Sequence, residues 1–238
     1  MANHAYLSLW LEDAYESTLL RNFQQFLETV PFSVHRPGFT ELVVRAISPA
    51  EAPLLERDLR GANVDAAAVT TIIAEQFHSD SSYEVSAWWD LWAPNTDSDA
   101  AVAWRLQPQP LLIFSNGQDY DDGIARDLGH IQADIGFEEF FTGGGGMDGA
   151  HKQPDSDASA TATHDSDRDT KPGEPNLAAT MARGQTHMIY REKTAANVRM
   201  LMDWRDRARA AVDVNRIQLW SEGEEDFEAR LEEILAAR

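Results

Sequence analysis

The sequence predicts an α+β protein: a two-layer, mixed but largely antiparallel sheet of five to six strands, with helices packed mainly on one face. Three observations carry this. The first 47 residues read strand, helix, strand. Residues 83–137 hold several runs that alternate apolar and polar side chains, joined by short polar turns, which is the pattern of an antiparallel meander. Of the 238 residues, 43% are hydrophobic, and 7 Trp and 10 Phe are among them, enough to build a core without metals or cross-links.

The elements follow in order. Tyr6 to Leu11 is rich in strand formers, and Asp13 with Glu16 three residues on is the reciprocal capping pattern that opens a helix. Leu19, Phe23, Phe26, Leu27 and Val30 make one helical stripe, which Pro31 stops. Pro37-Gly38 turns the chain into a second strand over 39–47. Ser48-Pro49-Ala50-Glu51 opens a further helix with Leu54, Leu55 and Leu59 facing inward, delayed by Pro53, and another runs from Asp65 to His78. Residues 83–92 alternate Tyr83, Val85, Ala87, Trp89 and Leu91 on one face with Glu84, Ser86, Trp88, Asp90 and Trp92 on the other. Two shorter strands follow, 101–106 and 111–114, separated by Gln107-Pro108-Gln109-Pro110, where proline argues for an edge or a bulge. Ile131, Ala133, Ile135 and Phe137 alternate again.

At Gly143 the composition changes to Gly, Ser, Asp, Thr, Ala and Pro as far as Pro175, with Met147 the sole large apolar residue. Such a segment buries too little surface to offset its ordering entropy, so residues 143–175 are expected to be a disordered acidic loop. Beyond it Asn176 caps a short helix interrupted at Gly184, a longer helix runs through Val198 and Leu201 to Val212, Val214 to Trp220 forms a strand, and Ser221 with Glu224 caps a last helix carrying Phe227, Leu231, Ile234 and Leu235. The organisation is thus a core over 1–142, the loop over 143–175, and a tail over 176–238 whose helices dock on the same core.

Composition limits function. Cysteine is absent, which excludes disulfides, thiol nucleophiles, iron–sulfur clusters and Cys-ligated zinc. The N-terminus has no basic leader and no window approaches a membrane span, so a cytoplasmic location is expected. Net charge is −20. Residues 1–142 carry 22 Asp and Glu against 7 Lys and Arg, 143–175 carry 7 against 3, and 176–238 carry 11 against 10. That potential disfavours nucleic acid and anionic lipid, which need a basic footprint, and favours a protein partner with a basic or hydrophobic surface. Neither a cofactor nor a metal site is expected: Walker, dinucleotide-binding, zinc-peptidase, serine-hydrolase and kinase signatures are all missing. Gly143 to His151 fits a calcium nonapeptide once, where the site needs stacked tandem turns, and Asp165 to Asp169 begins like an EF-hand loop but lacks its sixth-position Gly and twelfth-position Glu.

Three groups are candidate sites. His130 and Asp134 flank a strand between Gly129 and Gly136, but i and i+4 on a strand stand about 13 Å apart, too far to hold one ion, and the same residues fit a polar outer face. Asp119, Asp121 and Asp122 crowd one loop, where neighbouring carboxylates bind divalent ions or raise one another's pKa, or simply face water. Trp88, Asp90 and Trp92, with Trp104 and Arg105 opposite, make an aromatic platform for a ring or an apolar anchor, although indoles at strand spacing also serve as core. The sequence therefore supports a non-catalytic protein-interaction or regulatory module first. A small metal- or carboxylate-dependent enzyme using His130 and the Asp119–Asp122 loop comes second, and mimicry of nucleic acid by the acidic face third.

Overall fold

The computed structural model describes residues 2–95, 103–143 and 177–237. Its elements are β1 (His4–Leu11), α1 (Glu16–Leu27), β2 (Glu41–Ala46), β3 (Leu55–Asp58), α2 (Ala66–Ala74), β4 (Ser81–Asn95), β5 (Ala103–Asn116), a 3-10 turn (Tyr120–Gly123), α3 (Ala125–Leu128), β6 (Ile131–Phe137), α4 (Glu139–Thr142), α5 (Leu177–Ala211), β7 (Val214–Ser221) and α6 (Phe227–Ala236). The α+β class holds. The sheet has seven strands rather than five or six, in the order β3-β2-β4-β5-β6-β1-β7. Every neighbouring pair is antiparallel, so the sheet is not mixed. β1 and β2 do point the same way, as the strand-helix-strand opening suggests, but β6, β5 and β4 lie between them.

The extra strand is β3, where the sequence suggests a helix. A proline at position 53 would break the i→i−4 ladder of such a helix, and residues 55–58 instead pair with β2, Val44 opposite Leu55 and Glu41 opposite Asp58. Leu59 still reaches the core, whereas Leu54 is exposed. The helix start at Asp13 also shifts: the N-cap is Tyr15, with no side-chain cap bond, and Thr18 Oγ1 donates to the carbonyls of Asp13 and Tyr15. Asp65 does cap α2, its carboxylate accepting from Ala68 N–H at 2.8 Å. The last helix starts later than its Ser221 signal: Ser221 Oγ accepts from Glu224 N–H, but Asp226 caps α6.

The two short strands expected over 101–114 are one strand, β5, with Pro108 and Pro110 inside it. The register explains their tolerance. Ser33 N–H donates to Trp88 O, and Asn197 bonds both the N–H and the C=O of Trp92. The backbone polar groups of residues 88 to 92 at this parity therefore point away from β5, and the residues opposite them, Pro110 and Pro108, point away from β4. Among the described residues no strand pairs with that side of β5 at the prolines, because β6 pairs only with Leu112 to Ser115. Each proline thus withholds a donor that no strand would accept. Gly184 likewise fails to interrupt α5, which runs unbroken over 35 residues; one glycine costs about 1 kcal/mol in a helix, and Val198, Leu201, Trp204, Ala208 and Val212 anchor its C-terminal half in the core.

One apolar cluster joins Leu7, Leu9, Val85 and Trp89 of the sheet to Phe23 and Phe26 of α1, Ile73 of α2, Leu201 and Trp204 of α5, and Phe227 and Leu231 of α6. All of these sheet residues have the same parity, so α1, α2, α5 and α6 cover one face. The opposite face carries Tyr6, Ser8 and Trp10 of β1, Glu84 and Trp88 of β4, Leu112 and Phe114 of β5, Gln132 and Asp134 of β6, and Gln218 and Trp220 of β7. Gly117 is required where β5 turns away: a Cβ there would stand 2.3 Å from the Ser79 carbonyl oxygen. Among the described residues no helix is long and apolar enough to cross a membrane. The segment expected to be disordered lies outside the described residues, as do both calcium-like motifs, except Gly143, which ends α4 at φ 69°.

Candidate functional site

His130 and Asp134 go separate ways. His130 precedes β6 and is held on three sides: its N–H donates to Leu9 O, its C=O accepts from Asn116 N–H, and its ring Nδ1 accepts from Leu11 N–H at 3.1 Å. The ring thus satisfies the end of β1. Asp134 faces the side of the sheet opposite the main helical layer, where its two carboxylate oxygens lie 2.9 and 3.0 Å from His4 Nδ1 and one also accepts from Gly136 N–H. Among the described residues, no hydrogen bond or ion pair joins the His130 side chain to Asp119, Asp121 or Asp122 of the aspartate loop. In that loop Asp119 N–H donates to Ser79 O and Asp121 N–H to Ile47 O. Asp121 and Asp122 both hold left-handed backbone, at φ 47° and 56°, a conformation that short polar side chains tolerate best after glycine. Among the described residues no group of three or more His, Asp or Glu is arranged to hold a metal ion.

Trp88, Asp90 and Trp92 share one face of β4, and each is already engaged by a neighbour. Trp88 lies under Arg36, whose Cζ is 4.2 Å from the ring centroid, and Trp92 lies under Lys193 Nζ at 3.7 Å. Asp90 Oδ2 accepts from Val34 N–H. Trp104 meets the Tyr190 ring edge-on at 5.1 Å, and stands opposite Pro94 rather than opposite Trp92. Arg105 is exposed and opposite Ala93, which places it at the other parity from Trp104. Opposite the engaged indoles and beyond them runs a partly exposed apolar strip: Leu106 is 44% exposed, Pro110 is exposed, and Pro108, Leu112 and Phe114 are half-buried.

A second constellation, on β1, β6 and β7, was not among the candidates. Tyr6 stacks on Trp220 with ring centroids 4.4 Å apart, and its hydroxyl donates to Glu222 at 2.9 Å. Glu222 also accepts from His4 N–H. Burial, then the Glu222 bond, then the Asp134 and Glu222 charges push the Tyr6 phenol well above its usual range. The His4 N–H and the phenol hold Glu222 below its own. The two shifts agree: a neutral phenol donates to an ionised carboxylate. Beside this group opens a cavity of about 510 Å³ whose lining includes Trp10, Trp220, Gln218 and Asp127 together with the 221–225 turn. The signal for it was present as His4, Tyr6, Ser8 and Trp10 at period two on the first strand. What no sequence pattern shows is that β7, more than 200 residues on, is the neighbour of β1.

No family model, no curated protein and no solved structure matches the chain.

The chemistry available is therefore that of the groups themselves. On the face opposite the main helical layer, carboxylates stand beside aromatic rings. Glu84 is pushed up by burial and by Glu41, partly offset by Arg45, and the buried Tyr120 phenol is raised by burial and by Asp121.

His130 yields a pH prediction. Burial lowers its pKa below the ordinary value of 6.5, so the unfolded chain binds the proton more readily than the folded one. The contribution to stability is then full above about 6.5 and is lost as pH falls through the folded-state value. Denaturant unfolding at pH 7.5 and pH 5 should show a loss in the native chain that is smaller in His130→Leu. That variant should also be destabilised at pH 7.5 by about 1–3 kcal/mol, because Leu11 N–H loses its acceptor. Equal pH slopes in the two proteins would refute the assignment.

Proposed function

We propose that the chain is a non-catalytic interaction or regulatory protein that receives a partner with a basic or hydrophobic surface on the face of its sheet opposite the main helical layer. The observation that carries this reading is the apolar strip on β5. Leu106, Pro108, Pro110, Leu112 and Phe114 follow one another on that face, and the residues opposite or beside them in register include Glu84, Asp90 and Asp134. A surface of apolar side chains rimmed by charge is the usual form of a protein docking site. The charge balance supports the same partner, since a net −20 steers basic surfaces toward the chain and repels acidic ones. Supporting this reading over a carboxylate-dependent enzyme, the His130 ring nitrogen is already taken by Leu11 N–H.

The test is a capture experiment from the native lysate at low salt, comparing the intact chain with Leu112→Asp, which places a charge in the middle of the strip, and with Glu232→Gln on the exposed side of α6. A specific partner should be retained by the intact chain and by Glu232→Gln and lost by Leu112→Asp. Recovery of nothing at low salt, or equal recovery by all three, would overturn the proposal.

A further inference from the structure

We infer that the cavity between Trp10 and Trp220 is a seat for a cationic side chain, a guanidinium or an ammonium carried on a basic peptide; the inference rests on the docking reading and names the chemistry of its partner at one point.

The walls come from β1 and β7. Tyr6 is paired with Trp220 and Trp10 with Arg216, so the two indoles stand four residues apart along the strand pair, about 13 Å at 3.3 Å per residue. Gln218, opposite Ser8, lies between them and lines the cavity. Both indole N–H groups are already used: Trp10 Nε1 donates to Arg126 O and Trp220 Nε1 to Ser8 Oγ, each at 2.9 Å. What the indoles offer the cavity is therefore ring surface and not a hydrogen-bond donor. One side of each ring is backed by the chain itself. Tyr6 stacks on Trp220, and Arg216 lies over Trp10 with its Cζ 3.5 Å from the ring centroid, and neither Tyr6 nor Arg216 lines the cavity.

The charge is of one sign. Asp127 stands at the Trp10 end, and Glu222, Glu224 and Glu225 at the other, while no described lining residue is Lys, Arg or His. Aromatic ring faces attract cations through their quadrupole, and carboxylates at the rim add a charge-assisted bond. An anion would meet no positive charge among the described lining residues, and only the Gln218 amide and the Ser221 hydroxyl as side-chain donors. The volume, about 510 Å³, lies within the range of ligand pockets and exceeds what a bare metal ion needs. Arg216 on Trp10 shows the same pairing made within the chain.

The experiment titrates the full chain with a hexa-arginine peptide, and in parallel with a hexa-glutamate peptide, while following the indole N–H resonances of the seven tryptophans, assigned through single Trp→Phe variants. Hexa-arginine should shift the Trp10 and Trp220 signals more than those of Trp88 and Trp92, and hexa-glutamate should shift none. Glu224→Gln with Glu225→Gln, on an exposed turn, should weaken hexa-arginine binding about tenfold. Shifts confined to other tryptophans, no binding, or binding indifferent to the two Gln substitutions would overturn the seat. Capture of a partner that Leu112→Asp abolishes but the Gln pair does not would sink the seat and leave the docking face standing. Loss of partner capture in the intact chain together with hexa-arginine shifts at Trp10 and Trp220 would do the reverse.

Discussion

Replacing Asn197 by leucine is expected to lower the stability of the chain by about 3–5 kcal/mol. Asn197 is fully buried on α5 and its amide meets the bare edge of β4: Oδ1 accepts from Trp92 N–H at 2.8 Å, and Nδ2 donates to Trp92 O and Phe140 O at 3.0 Å each. β2 pairs with β4 only as far as Ser86, so at Trp92 this side chain does the work of a neighbouring strand. Leucine would leave one donor and two acceptors buried without partners, at about 1–3 kcal/mol each and less than additively. In a chain of this size that is a fall in Tm of about 10 °C. Asn197→Asp keeps an acceptor for Trp92 N–H but removes both donors and buries a charge, so it should not rescue. Thermal and urea unfolding of the two variants measure this directly. A loss under 1 kcal/mol in both would mean that the edge is satisfied in another way.

Trp204→Ala is expected to be of similar size, about 3–5 kcal/mol for a fully buried aromatic side chain. Trp204 lies 5.7 Å from both Phe26 of α1 and Trp89 of β4, and its Nε1 donates to Thr29 Oγ1 at 3.0 Å. It therefore ties α5 to an N-terminal helix and to the middle of the sheet at once. Because those contacts cross from residue 204 to residues 26 and 89, unfolding of the intact chain should be one cooperative step, with tryptophan fluorescence and far-ultraviolet circular dichroism giving the same midpoint. In Trp204→Ala the common midpoint should move as one. A helical signal that melts ahead of the rest would show instead that α5 and α6 form a separate unit.

The candidate residues show where a linear reading stops. Asp134 was legible as an outward-facing carboxylate because Ile131, Ala133 and Ile135 define the inner parity of β6. The i+4 spacing already separated it from His130, but its actual partner was not legible: the ring beside it belongs to His4, 130 residues away. The reverse holds for His130, whose role follows from standing next to the end of β1. Trp88, Asp90 and Trp92 were correctly placed on one face, but the cations that cover the two indoles come from a loop at Arg36 and from α5 at Lys193. Leu55 to Asp58 was misread because Leu54, Leu55 and Leu59 fit a helical stripe, and only the open edge of β2 makes a strand the better use of that segment.

By itself the sequence determined the fold class, the inner parity of β4 and β6, the start of α2 near Asp65 and the sign of the surface charge, because each rests on neighbours within a few residues or on composition. Tertiary structure alone decided which strands lie side by side, and with that the Asn197 clasp on β4, the His4–Asp134 pair and the Trp10–Trp220 cavity. The physical reason is that side-chain period is a local property of the backbone, whereas strand order is settled by the packing of the whole core, and the clasp, the His4–Asp134 pair and the Trp10–Trp220 cavity each join residues more than 100 positions apart.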